Sequence, residues 1–151
     1  MRIYLACTVR GDRGGVLAAR AIDARLRALG HEVLTSHLLE DRVDDSESSQ
    51  SEREVFERDR AWLDACDAVV AEASGSSYGV GFEVGYVTGR APSTGQRVFV
   101  LYDATRRHQL SRLMLGYRDD RGEACEYRTL DDVRAFIDAH FGAAPDSRRK
   151  G

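Results

Sequence analysis

The run Ala68-Val69-Val70-Ala71 is short, small and β-branched, and it leads through Ser74-Gly75-Ser76-Ser77 into a stretch with apolar residues at 80, 84 and 87. The first pattern is that of a buried strand and the last is helical spacing, so the segment reads as a strand, a tight turn and a helix start. Ser77 is the predicted N-cap, which leaves the N–H groups of Tyr78, Gly79 and Val80 at a positive helix end, facing any anion placed there. Gly79, Gly81 and Gly85 each cost about 1 kcal/mol of helix propensity relative to Ala. Close approach of a ligand or of neighbouring backbone accounts for that concession. From Ser77 to Gly89 the only charged residue is Glu83, with no Lys or Arg three or four positions away. A lone carboxylate one turn below an anion seat is a candidate nucleophile or base; the alternative is a surface Glu on a small-residue helix.

Around this junction the chain alternates between strand and helix patterns. Ile3 to Cys7 reads as a strand, followed by the glycine-rich, basic loop Thr8 to Gly15 and a helix through Leu17, Ile22, Leu26 and Leu29 that Gly30 stops. Val33 to Thr35 is a brief second strand with His37 just past its end. Glu40 to Glu52 is acidic and Ser-rich, which predicts a surface loop. Ser51 and Glu54 have capping-box spacing, and the helix they open carries Val55, Phe56, Trp62, Leu63 and Cys66 on one face. Asp59 lies in the middle of that face. A carboxyl in an apolar stripe is costly unless paired, protonated or at work in a cleft. Arg58 and Arg60 are possible partners, but neither has the spacing that pairs on a helix surface, so the position reads as functional.

Ala91 to Gly95 is a predicted turn, Arg97 to Tyr102 a buried strand, Leu110 to Leu115 a short helical piece, Cys125 to Tyr127 a weak fifth strand, and Val133 to Phe141 an amphipathic helix. Five alternations predict an α/β fold: a doubly wound, Rossmann- or flavodoxin-like five-stranded parallel sheet in the order 2-1-3-4-5. In that order the loops after strands 1 and 3 face each other across the ligand crevice. Residues 1–142 form the expected domain and 143–151 a frayed tail.

Composition narrows the function. A net charge of −3 over 151 residues gives no polyanion-binding signal, so no nucleic acid polymer is expected and phosphate recognition must be local. No apolar run approaches the roughly 20 residues a bilayer requires, and Met1-Arg2 enters a strand directly, so a cytoplasmic protein without membrane contact is expected. Cys7, Cys66 and Cys125 lie far apart, which suggests neither disulfides nor a zinc site. The P-loop pattern is absent, and Gly79, Gly81 and Gly85 miss the dinucleotide spacing by one residue.

Tyr4 through Gly11, Asp59 with Trp62-Leu63, Ala68 through Glu72, Ser77-x-Gly79-Val80-Gly81-Phe82-Glu83-x-Gly85, and Leu110-Ser111 with Gly116 resemble the 2′-deoxynucleoside 5′-monophosphate N-glycosidases. These are relatives of the nucleoside 2-deoxyribosyltransferases. The resemblance implies hydrolysis of a (2′-deoxy)nucleoside 5′-monophosphate to free base and (deoxy)ribose 5-phosphate, with no cofactor. It implies Glu83 as nucleophile on the anomeric carbon, Asp59 as the partner carboxylate assisting base departure, and Tyr4 orienting Glu83. Thr8, Arg10, Gly11, Ser77 and Gly79 would hold the 5′-phosphate, joined by Ser111 from the second subunit of a homodimer, and His37 matches a position near the substrate. Thr8, Cys7 and Phe82 stand where the family pattern has Ser, Gly and Tyr. Oxocarbenium chemistry agrees with two carboxyls of separated pKa, and the apolar stripe predicts that Asp59 holds the proton while Glu83 stays charged. A deoxyribosyltransferase acting on free nucleosides and a nucleotide sensor without turnover are the alternatives.

Overall fold

The computed structural model describes residues 1–40 and 49–142. The expected loop therefore lies mostly, and the expected tail wholly, outside the described residues. The elements are β1 (Arg2–Ala6), α1 (Val16–Ala28), β2 (Glu32–Val33), α2 (Glu52–Ala65), β3 (Ala68–Glu72), α3 (Tyr78–Thr94), β4 (Arg97–Asp103), α4 (Arg112–Leu115), β5 (Arg118–Asp119), β6 (Gly122–Tyr127) and α5 (Leu130–Phe141). Short 3-10 turns cover Ser36–Leu39 and Ala104–Gln109.

The sheet runs β2-β1-β3-β4-β6-β5. Its first five members are parallel neighbours, so the predicted doubly wound α/β core is present with β6 as the fifth parallel strand. The sheet departs from the predicted five-stranded one at its edge, where β5 adds a sixth strand that pairs antiparallel with β6. A local turn creates this hairpin: Asp119 accepts the Arg121 N–H through Oδ1 at 2.8 Å, folding the chain back after two paired residues. The second strand is shorter than predicted because Thr35 substitutes its side chain for backbone pairing. Its hydroxyl accepts from Leu5 N–H at 3.0 Å and donates to Leu5 carbonyl at 2.7 Å.

Alternation along the strands splits the interior into two layers. Ile3, Leu5, Ala68, Val70, Phe99 and Leu101 pack against Ile22 and Leu26 of α1 and Val133, Ile137 and Phe141 of α5. Tyr4, Ala6, Val69, Ala71, Val98 and Val100 pack on the other face against Leu63 of α2 and Val80, Val84 and Val87 of α3. Period-two strands between period-3.6 helices produce this division. The predicted capping box of Ser51 with Glu54 forms, and the structure adds a second, Thr129 with Asp132, which together fix where α2 and α5 begin. Helix α3 runs on through the predicted turn at 91–95, because Pro92 falls in its last turns and Gly95, at φ 77°, supplies the left-handed stop.

Candidate active site

The parallel pairing of Ala6 with Ala71 brings the carboxyl ends of β1 and β3 side by side, so the loops that follow them meet. Their contact point is Gly75: a β-carbon there would run into the Asp12 carbonyl and the Thr8 hydroxyl, so the position requires glycine. Next to it Ser76 adopts φ 51°, the one non-glycine residue with positive φ among the described residues. Ser77 then caps α3, its hydroxyl accepting the Gly79 N–H at 3.2 Å. One of the three N–H groups expected to face an anion is therefore taken by the cap itself, and those of Tyr78 and Val80 remain without an acceptor inside the helix.

A cavity of about 390 Å³ opens at this junction. The strand-1 loop contributes Cys7, Val9 and Arg10; α3 contributes Ser77, Gly79, Val80 and Glu83; and the opposite wall is Leu38 with Gln50, Glu52, Val55, Phe56 and Asp59. Glu83 is reached from below by Tyr4, which is fully buried and donates its hydroxyl to Glu83 Oε1 at 2.6 Å. Burial pushes the Glu83 carboxyl up to about 7, the Asp59 charge pushes the same way, and the Tyr4 hydrogen bond opposes both. Burial also carries the Tyr4 phenol far above its ordinary range, so it stays a donor. Cys7 is pushed up to about 12 by burial and by Glu83, which keeps it a neutral thiol and a poor nucleophile.

Asp59 is placed differently. Arg58 Nε donates to Asp59 Oδ1 at 2.8 Å, and a second guanidinium nitrogen lies 2.8 Å from the same oxygen, with the two side chains 19% and 22% exposed. Adjacent residues on a helix do not face each other at ordinary spacing. Arg58 manages it by folding back over the Trp62 ring, 5.0 Å from its centroid, while also reaching Gln50 Oε1 at 3.3 Å. Arg58 is thus the partner of Asp59 that helix spacing disfavoured. The expectation that Glu83 stays charged is also corrected, since burial raises its carboxyl to about 7.

Of the other predicted residues, Arg10, Ser77 and Gly79 line the cavity. Thr8 is 5% exposed and its hydroxyl finds no hydrogen-bond partner among the described residues. Gly11 has φ 94°, which shapes the loop ahead of α1. His37 packs edge-on against Trp62 at 5.5 Å, beside the wall residue Leu38, and does not line the cavity. Ser111 lines a neighbouring cavity of about 510 Å³ with Ser76, Ser77, Tyr78, Leu113 and Met114. Ser77 and Val80 belong to both cavities, so the N-terminus of α3 is the partition between them.

A family model described as nucleoside 2-deoxyribosyltransferase matches residues 3–138. The chain belongs to this family. The human 5-hydroxymethyl-dUMP N-hydrolase is 32% identical over 146 residues, covering 95% of this chain and 80% of that protein. A Thermofilum pendens protein provisionally named 2′-deoxynucleoside 5′-phosphate N-hydrolase 1 is 34% identical over 146 residues, covering 97% of this chain and 99% of its own. The solved structure of a Clostridium botulinum CMP N-glycosidase shares the fold at a TM-score of 0.66 and 16% identity, covering 92% of this chain and 98% of that one.

Within this deoxyribosyltransferase-family frame, two features went unread in the sequence. The wall formed by Gln50 and Glu52 falls where composition gave only a polar loop, and the signal that extends it into the site is the capping box at Ser51. The second is Glu72, which ends an apolar strand run yet is 1% exposed. An acid closing a fully buried strand is itself a signal, because burial without partners is too costly to persist.

Proposed function

We propose that the chain hydrolyses the N-glycosidic bond of a (2′-deoxy)nucleoside 5′-monophosphate, releasing free base and (deoxy)ribose 5-phosphate. The observation that carries this reading is the buried Tyr4–Glu83 hydrogen bond, set in a cavity shared with Asp59 and with the N-terminus of α3. The names of the human and Thermofilum relatives support the substrate class. In this reading Glu83 attacks the anomeric carbon in the ionised form that it reaches as pH rises through its raised pKa of about 7, while the bond to the base breaks. Tyr4 donates to one carboxyl oxygen and leaves the other for attack. Asp59, whose Oδ1 is held by Arg58, partners the departing base through Oδ2. Water then cleaves the glycosyl-enzyme ester, its hydroxyl going to the anomeric carbon and its proton replacing the one taken up by the departed base, and Glu83 is regenerated as the carboxylate.

The 5′-phosphate sits against Ser77, Gly79 and the first-turn amides of α3, with Arg10 supplying positive charge and Gly11 the loop bend. A phosphate oxygen would also satisfy the Thr8 hydroxyl. Ser111 reaches this phosphate from the partner subunit of a homodimer, for which the exposed Leu113 and Tyr78 beside it offer apolar contact surface. His37 acts by supporting Trp62 and the Leu38 wall. Incubating purified protein with a panel of nucleoside monophosphates and following base release by chromatography tests the reading. Release from nucleotides, lost in Glu83→Ala, is expected; unchanged release in that variant contradicts it.

The family model's own description favours one second reading, transfer of deoxyribose between bases. Base exchange on a free nucleoside, indifferent to a 5′-phosphate, would select it over hydrolysis.

A further inference from the structure

On the α1 face of the sheet, opposite Glu83, lies a second buried carboxyl to which the reaction assigns nothing. Glu72 Oε1 accepts the Tyr127 hydroxyl at 2.8 Å, the Ser74 hydroxyl, and the Ser74 N–H at 3.3 Å, and Oε2 also lies 3.3 Å from that N–H. The Ser74 hydroxyl in turn accepts the Asp103 N–H at 2.8 Å. A β-carbon on Gly15 would fall on the carboxyl, so the start of α1 also rests against it. One side chain thus ties together the ends of β3, β4 and β6 and touches the loop that follows β1. Burial pushes its pKa up, against the bonds from Ser74 and Tyr127 and the Arg106 charge.

What this knot holds is the loop between β3 and α3. Two residues beyond Ser74 comes Ser76 at φ 51°, a conformation that L-residues with side chains enter only when their surroundings impose it, and the next residue is the cap of α3. The loop is pinned at Ser74 by Glu72 and at Gly75 by the Thr8 and Asp12 contacts. We propose that Glu72 is a positioning residue for phosphate recognition: by anchoring Ser74 it keeps Ser76 left-handed and so aims Ser77 and the first amides of α3 at the anion. This rests on the phosphate seat of the proposed function, but not on the glycosidase chemistry. Glutamine keeps an acceptor where Oε1 stands but puts an NH2 group where Oε2 stands, facing the Ser74 N–H, a donor against a donor, beside the close-packed Gly15.

The test is binding of inorganic phosphate, followed by titration calorimetry or amide chemical shifts, in wild type, Glu72→Gln, and Glu72→Gln combined with Ser76→Gly. Glu72→Gln is expected to weaken phosphate binding about tenfold, the size of a disturbed hydrogen bond to a charged group. Ser76→Gly makes the left-handed conformation inexpensive, and is expected to restore binding to within about threefold of wild type. If Glu72→Gln does not fold, Gly15→Ala, which presses on the same carboxyl without removing a bond, takes its place with the same expectation. Unchanged phosphate affinity in a folded variant, or no recovery on adding Ser76→Gly, overturns the proposal. Loss of turnover with phosphate binding intact also overturns it and leaves the glycosidase reading standing. Weakened and rescued phosphate binding in a protein that releases no base from any nucleotide upholds it and removes the glycosidase reading.

Discussion

Two Glu–Tyr pairs sit near the carboxyl end of the same sheet, one on each face. Glu83 with Tyr4 lies on the α2/α3 side, and Glu72 with Tyr127 on the α1/α5 side. Both carboxyls are pushed up by burial. They differ in what else surrounds them. Glu72 accepts from two hydroxyls and a backbone amide and is sealed from solvent. Glu83 lines an open cavity, with the Tyr4 hydroxyl as its hydrogen-bond donor and the Asp59 charge nearby. A carboxylate whose lone pairs are committed is a structural tie, whereas one with an oxygen facing a cavity and a pKa near neutrality is equipped for chemistry. The contrast comes from donor count and access, since the residue types are the same.

Removing the two glutamates should therefore have unlike consequences. Glu83→Gln is expected to reduce base release by at least about a thousandfold, as loss of a nucleophile does, with the protein still folded by circular dichroism. Next in size, Tyr4→Phe should lower kcat/KM by about ten- to a hundredfold, the cost of one hydrogen bond to a charged group. It should also move the acid limb of the pH–rate profile upward, because the Tyr4 bond is what lowers the Glu83 pKa. Tyr127→Phe sharpens the contrast: it should leave that limb in place and cost about 1 kcal/mol of stability in a denaturant melt.

The pH dependence of stability separates Glu83 from an ordinary surface acid. Its folded pKa of about 7 lies above the ordinary value of 4.5, so the folded state holds a proton that the unfolded chain has released across that window. Stability from this group is full below the unfolded pKa and is lost as pH rises through about 7. Glu83→Gln should thus be more stable than wild type at pH 8 by on the order of 1–3 kcal/mol and nearly equal to it at pH 4. A variant equally stable or less stable at pH 8 would show that Glu83 is not strained by burial. The smallest effect is expected at Ser111, proposed to serve the partner's site. Ser111→Ala should stay folded, with the sedimentation of wild type, while raising KM for a nucleoside monophosphate about threefold to tenfold, with kcat held.

The two glutamates also mark what the sequence made legible. Glu83 stood out because a lone charge in a small-residue helix breaks a local pattern, and it lines the cavity; Ser77 stood out because capping is a local rule, and it caps α3. The order of the four strands β2-β1-β3-β4 followed from alternation and handedness. The Glu72 knot was not legible, since its partners Ser74, Tyr127 and Gly15 are brought together by three different elements. Arg58 with Asp59 was disfavoured by spacing for a related reason. Helix spacing rules describe side chains in solvent, and here Trp62 and Gln50 supply a tertiary reason for the guanidinium to fold back. The edge hairpin rests on a two-residue strand, too short for any periodicity to register.

The nucleophilic role of Glu83 is tested most directly by rapid acid quench of the protein mixed with a cleaved nucleoside monophosphate, followed by peptide mass analysis. A (deoxy)ribose phosphate adduct on the peptide that carries Glu83, absent in Glu83→Gln, is the expected result. Base release at the wild-type rate by Glu83→Gln, or an adduct carried on another residue, would contradict it.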